Sequence, residues 1–210
     1  MHYTSLVSGR AFSESYGNEN GIVVDIGGRD VNGSLRSFFE KIGMKFICVD
    51  MEEDKSVDIV VPPGDKLPFE DGSVDAIVST SCFEHDPCFW LTFREMTRII
   101  KPSGYIYINA PSAGPYHSYP GDNWRFYSDA GQALAYWSGK QLSNEPIYPV
   151  KVVETFNVLG DCWNDFVCVW QRVNIENSEK SIVVHTDVIN NCGILEQTIN
   201  KYGLQTRKKC

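Results

Sequence analysis

Short apolar runs rich in β-branched residues alternate with helical stretches along most of this chain, and that alternation restricts it to an α/β layout with successive strands side by side and parallel. The first run, Gly21–Ile26, reads as a strand that stops at Gly27-Gly28. A helix follows from Gly33 or Ser34 to about Ile42, with Leu35, Phe38, Phe39 and Ile42 on one face. Lys45–Asp50 reads as a second strand and Val57–Val61 as a short third, which Pro62-Pro63-Gly64 breaks. Glu70-Asp71-Gly72-Ser73 turns the chain into a fourth strand, Val74–Thr80. Phe89–Ile100 has helical spacing, with Phe89, Phe93, Met96 and Ile100 on one face, and Lys101-Pro102-Ser103-Gly104 stops it. Tyr105–Asn109 is the fifth strand; a loop rich in Pro, Gly and aromatics spans 110–127, and Ser128 caps a helix running to Gly139.

Two further β-rich runs, Val150–Val158 and Asp165–Val173, are separated only by Leu159–Asn164, which suits a hairpin and hence an antiparallel pair. A simple dinucleotide-binding sheet would have continued with βα units instead. The expected fold is therefore α/β: a doubly wound, mostly parallel seven-stranded sheet with a C-terminal antiparallel hairpin. The 210 residues suit one domain, placed at 1–173. Residues 174–210 read as a tail without legible chemistry, holding one possible strand, Ile182–Val188, and one short helix, Ile194–Tyr202. The stretch from Met1 to Asn20 is polar and Ser-rich, unlike a signal peptide.

The net charge of −8 lacks the basic footprint that a phosphate backbone requires, so nucleic acid is not an expected partner. No apolar run approaches the length of a membrane span. The seven cysteines are odd in number, scattered, and form no CxxC, which points to free thiols in a reducing, cytoplasmic setting and to no metal site. The oligomeric state is not written in the sequence.

The chemistry starts at the first turn, Asp25-Ile26-Gly27-Gly28-Arg29-Asp30-Val31-Asn32-Gly33. Glycine directly after a buried strand lets backbone approach a ligand that a Cβ would exclude, and ligands of open α/β sheets bind beyond the carboxyl ends of the strands. The second strand ends in Asp50, where a carboxylate can accept both hydroxyls of a ribose. A pyrophosphate-seating GxGxxG is missing, because Arg29 and Val31 stand where glycines are wanted; a nucleoside cofactor without phosphates fits better.

Four segments, in order, are similar to the class I S-adenosylmethionine-dependent methyltransferases, in the group that acts on small molecules: VVDIGGRDVNGS, FICVD, LPFEDGSVDAIVSTSCFEHD and REMTRIIKPSGYIYINAP. The resemblance runs from about Ile22 to Tyr127 and agrees with the terminal hairpin, since the family's last strand is antiparallel. It implies S-adenosyl-L-methionine as cofactor, with Gly27 and Gly28 under its methionine part and Asp25 shaping the turn. Asp50 would hold the ribose, Met51 would flank the adenine, and Ser79 would sit near the methionyl end or the methyl group. Two positions depart from the pattern. Arg29 replaces a motif glycine, so either Gly28 compensates or Arg29 contacts the cofactor carboxylate. Pro62 stands where relatives often carry an adenine-binding acid, so either Asp65 substitutes or a backbone group reads the base.

Methyl transfer is an in-line displacement that needs orientation, and a base only when the acceptor must lose a proton. The candidates lie in the loops after strands four and five. Glu84-His85-Asp86 follows strand four, and a P-x-H-x-Y-P-x-D-x-W-R-F stretch from Pro115 to Phe126 is shared with the relatives. His117 is the expected general base, with His85 as a second catalytic candidate. Tyr116, Asp122, Trp124 and Arg125 are expected to meet the substrate, although Asp122 and Arg125 could equally form a structural ion pair. Trp163 and Trp170 read as packing. The expected activity is methyl transfer to a small-molecule acceptor such as a sugar or metabolite hydroxyl. The alternatives are a nicotinamide-dependent oxidoreductase, and a non-catalytic module in which Arg29 blocks the cofactor.

Overall fold

The structure, a computed structural model, describes residues 2–118, 120–173 and 193–207. Eight strands form one sheet: β1 (Ile22–Ile26), β2 (Lys45–Asp50), β3 (Ile59–Val60), β4 (Val74–Thr80), β5 (Ile100–Ala113), β6 (Val150–Leu159), β7 (Asn164–Arg172) and β8 (Gln205–Arg207). Their spatial order is β3-β2-β1-β4-β5-β7-β6-β8. β1 to β5 are mutually parallel, whereas β7 inserts antiparallel between β5 and β6, and β8 pairs antiparallel with β6. The order reverses at β1 and β4, which opens a crevice beyond their carboxyl ends.

The helices are α1 (Tyr3–Tyr16), α2 (Arg36–Lys41), α3 (Phe89–Ile99), α4 (Ala130–Ser138) and α5 (Ile194–Lys201). Strand side chains alternate between faces, so each strand feeds two cores. Val24, Ile77 and Ile106 join Phe93, Met96, Leu134 and Trp170 on the α3–α4 face. Val23, Val78 and Tyr107 join Phe12, Leu35, Phe39, Leu195 and Ile199 on the other. This is the doubly wound arrangement expected, with the antiparallel hairpin in place. No helix among the described residues is long and apolar enough to cross a membrane.

Several elements differ from the sequence expectation. An eighth strand joins the seven, and α1 fills part of the polar start. α1 buries Ser5, Ser8, Gly9 and Ser13 beside Ala11 and Phe12, a face of small residues that apolar periodicity does not register. α2 is shorter than 33–42, since Gly33 has a φ of +128° that no helix contains. β3 shrinks to two residues at the sheet edge. β5 extends well beyond Tyr105–Asn109, because β7 pairs with it from Tyr105 as far as Ala113 and Val74 pairs with Ile100. The loop accordingly begins at Gly114, and α4 starts after Asp129, with no side-chain capping bond from Ser128. The expected strand Ile182–Val188 lies outside the described residues.

α5 is fastened by the sheet. Glu154 of β6 is almost fully buried and accepts the Leu195 and Glu196 N–H groups at 3.1 and 3.2 Å, capping the first turn of α5 from a distance. The Tyr16 hydroxyl of α1 donates to the same carboxyl. Glu154→Ala is expected to cost about 2–3 kcal/mol in urea unfolding, since two buried backbone donors and the part-buried Tyr16 hydroxyl lose their partner. Faster amide exchange throughout α5 should accompany it; an unchanged midpoint would show that packing alone holds α5.

Candidate active site

A cavity of about 540 Å³ lies beyond the carboxyl ends of β1, β2 and β4. The turn after β1 forms its floor and residues 61–65 one side; residues 80–82 and 84–86, with His117, Pro120, Trp163 and His2, close the other. Its volume falls within the ~300–1,000 Å³ usual for small-molecule sites.

The glycine pair is required by the protein itself. Gly27 has a φ of +71°, and a Cβ there would stand 2.6 Å from Cys82 Cβ and closer still to Cys82 Sγ. A Cβ on Gly28 would stand 2.6 Å from Asp25 Oδ2. Both glycines line the cavity above these packed neighbours. Asp25 is fully buried and does not line the cavity, and neither of its oxygens has a hydrogen-bond partner. Burial, followed by the nearby Asp50 charge, pushes its pKa up to about 8. Asp25 thus shapes the turn by contact beneath Gly28 and makes no side-chain hydrogen bond there.

Asp50 ends β2 at the cavity wall. One oxygen accepts the Glu52 N–H at 3.1 Å and the other the Arg29 N–H at 3.2 Å. A carboxylate offers about four acceptor sites, so lone pairs remain for a diol. Arg29 lines the cavity, with its guanidinium paired to Glu52. Glu52 is a cavity residue that the sequence reading did not single out. Met51, Pro62 and Asp65 line the cavity beside Val61 and Leu67, forming an apolar slot with one acid at its rim.

Ser79 is not at the cavity. It lies inside the sheet, where its hydroxyl donates to the Ile26 carbonyl at 2.8 Å and ties β4 to β1. Thr80 and Ser81 line the cavity instead, and each has a buried hydroxyl oxygen without a partner. Ser81 is also left-handed, with φ +49°, a conformation that costs a residue with a Cβ about 1–2 kcal/mol.

The far side of the cavity gathers Glu84, His85 and His117. Glu84 is 1% exposed, and its Oε2 has no partner. Burial pushes its pKa up to about 8. His85 Nε2 lies 3.6 Å from Glu84 Oε1, while its Nδ1 bonds the Gly121 carbonyl. The His85 and His117 rings meet edge to face at 4.8 Å, and His117 meets Trp163 the same way at 4.8 Å. Burial lowers the His117 pKa, with Asp122 opposing.

The remaining expected substrate residues stand outside the cavity lining. Asp122 is paired with Arg125, whose Nη2 reaches Oδ2 at 2.6 Å, and it also accepts the His117 N–H at 2.9 Å. Arg125 holds the Asp122 carboxyl well below the usual carboxylate range. The pair braces the loop that carries His117, as the structural alternative anticipated. Trp124 donates its indole N–H to the Asp86 carbonyl at 2.9 Å and packs against Phe89 and Trp90. Tyr116 is 77% exposed. Trp170 is core packing as expected, with its indole N–H on the Gly131 carbonyl. Trp163 is a cavity wall, because the β6–β7 turn folds over the site. His2 stacks on it at 5.6 Å and reaches Asp165 at 3.1 Å.

Comparison with known proteins agrees with this layout. A family model described as a methyltransferase domain matches residues 24–108. Over 91 residues the chain is 33% identical to an uncharacterized methyltransferase of Mycobacterium sp. (strain KMS), a match covering 39% of this chain and 35% of that protein. The chain therefore spans about a third of the length of the curated relatives it matches. Among solved structures, the fold is similar to Burkholderia thailandensis 1,6-didemethyltoxoflavin-N1-methyltransferase, whose crystals hold 1,6-didemethyltoxoflavin and S-adenosylhomocysteine: TM-score 0.60, 14% identity, 81% of this chain and 78% of that one. It is also similar to a SAM-dependent methyltransferase from Aquifex aeolicus: TM-score 0.55, 18% identity, 79% and 90% coverage. Residues 24–108 are thus similar to a methyltransferase domain, and the sheet that carries them has the fold of these solved methyltransferases.

Proposed function

We propose that the protein transfers the methyl group of S-adenosylmethionine to a small-molecule acceptor, at a sugar or other metabolite hydroxyl. One observation carries the reading: a single cavity is lined both by the strand-end acid Asp50 and by the Glu84–His85–His117 cluster. The residues present suit the cofactor. Asp50 retains acceptor sites for the ribose diol, and the slot around Met51 and Leu67 suits a flat base. Carboxylates of Asp50, Glu52, Asp65 and Asp86 line the cavity against one guanidinium, an environment that favours a sulfonium cation.

When bound, the cofactor supplies an electrophilic methyl carbon. An acceptor oxygen lone pair forms the new O–CH₃ bond as the S–CH₃ bond breaks, leaving a neutral thioether. The hydroxyl proton goes to the histidine cluster, where His117 is the assigned base and His85, oriented by Gly121, stands beside it. An acceptor that had no proton to lose would not need such a cluster. Asp122 and Arg125 position His117 and do not touch the acceptor. Free thiols at all five described cysteines accord with a cytoplasmic setting.

Calorimetric titration with S-adenosylmethionine and with NAD tests the cofactor. Binding of the former and not the latter is expected, and the reverse would overturn the reading. Asp50→Ala is expected to weaken S-adenosylmethionine binding by about 1–3 kcal/mol, or about 5- to 150-fold in Kd. An unchanged Kd would remove Asp50 from the ribose site. Release of S-adenosylhomocysteine over a panel of sugars, phenols and amines would then identify the acceptor class; turnover confined to acceptors lacking an ionisable proton would overturn the hydroxyl assignment.

A further inference from the structure

We infer that Glu84, His85 and His117 form a binding site for a divalent first-row transition cation, open to the acceptor side of the cavity. The carboxyl of Glu84 and one ring nitrogen from each histidine lie within 4.8 Å of one another. Ligands held at ~2.0–2.1 Å on a tetrahedral cation stand roughly 3.4 Å apart. The Glu84–His85 pair, at 3.6 Å, already meets that spacing, and the His117 ring nitrogen lies within 4.8 Å of both.

Three further observations distinguish this cluster from a chance gathering. Glu84 is 1% exposed yet its Oε2 has no partner, so a buried acceptor points into the cavity unsatisfied. His85 Nδ1 faces the Gly121 carbonyl, which can only accept; the proton is therefore on Nδ1, and Nε2 carries its lone pair toward Glu84. His117 Nδ1 is buried without a hydrogen-bond partner, 3.4 Å from the Asp122 carboxylate that accepts the His117 backbone N–H. Adjacent residues of one loop thus hold the two histidines: Gly121 orients the His85 ring from behind, the outer-shell arrangement typical of metal-ligating histidines, and Asp122 fixes the His117 backbone. Two imidazoles with one carboxylate select borderline cations such as Zn²⁺, Fe²⁺ or Co²⁺ over the oxygen-seeking Mg²⁺. Three protein ligands leave a coordination position open for an acceptor oxygen.

The use of the cation rests on the methyl-transfer reading above. A hydroxyl coordinated there becomes more acidic and releases its proton to water. Its oxygen then attacks the methyl carbon while the sulfonium leaves as a thioether, so the cation takes over the activation that the metal-free cluster performs as a base.

Co²⁺ is the probe, because its visible absorption reports coordination. Titrating the apo-protein, prepared by dialysis against a chelator, is expected to develop a visible band that saturates at one Co²⁺ per chain. Zn²⁺ should displace it, and a tenfold excess of Mg²⁺ should not. His117→Ala and the near-isosteric Glu84→Gln are each expected to weaken Co²⁺ binding at least tenfold, with circular dichroism showing both variants folded. Absence of the band in the wild-type protein would overturn the inference without any variant. Equal binding by folded His117→Ala, or displacement by Mg²⁺, would overturn it too. S-adenosylmethionine titration of the same wild-type sample is independent: cofactor binding without Co²⁺ binding sinks only the metal site.

Discussion

Replacing Asp25 with asparagine is expected to remove most of the fall in stability between pH 4 and pH 8, and to leave the variant more stable than the parent at pH 8 by about 3–5 kcal/mol. Asp25 is fully buried with both oxygens unpartnered, and burial with the Asp50 charge raises its pKa to about 8. In the unfolded chain the same carboxyl ionises near ~3.9. Between those values the folded state keeps a proton that the unfolded state has released, so stability falls as pH rises. The contribution is complete below pH ~4, declines through the window, and is lost above about 8. Urea unfolding at pH 5, 6, 7 and 8 reads it directly. Parallel pH profiles for parent and variant would show that Asp25 ionises normally.

Gly27→Ala should destabilise by about 2–5 kcal/mol, and S-adenosylmethionine binding should be lost with the turn. Holding φ near +71° costs a residue with a Cβ ~1–2 kcal/mol, and forcing that carbon against Cys82 adds ~1–3 kcal/mol of overpacking. The two parts separate in a double-mutant cycle. Cys82→Gly should recover the overpacking part in the Gly27→Ala background and leave the backbone part. Additive effects of the two substitutions would mean that the alanine methyl finds room without touching residue 82.

Much of the sheet was legible because its strands are fully buried or sharply terminated. The apolar runs of β1 and β4, the acid ending β2 and the short link between β6 and β7 are local signals. α1 was not legible, since Ser5, Ser8 and Gly9 pack closely against neighbours that the local sequence does not name. β8 is three polar residues that become a strand only by pairing with β6. Ser79 shows how narrow the margin is at a strand end. Side chains alternate, so one residue separates a hydroxyl bonded inside the sheet from Thr80 at the cavity.

The glycine pair, which lines the cavity, has a second reason beside the one read from sequence. A ligand's approach was inferred, whereas Cys82 and Asp25 occupy the two Cβ positions; Cys82 is 55 residues away along the chain and no local pattern couples it to Gly27. Likewise, a lone His117 and a His85 at a helix entry are unremarkable separately. Bringing their ring centres to 4.8 Å beside a buried Glu84 depends on the Asp122–Arg125 brace and on the backbone bonds from Asn123 and Trp124 to the Glu84 carbonyl.

The sequence by itself determined the strands, their parallel then antiparallel pairing, and the strand-end acid that faces the crevice. Those follow from side-chain periodicity, turn residues and connection length, all of which act over a few neighbouring residues. Only the tertiary structure decided which side chains share the cavity, which carboxyls are buried deeply enough to stay protonated, and that Glu84, His85 and His117 converge. Such properties depend on distances between segments far apart in the chain and on the exclusion of water by the packed whole.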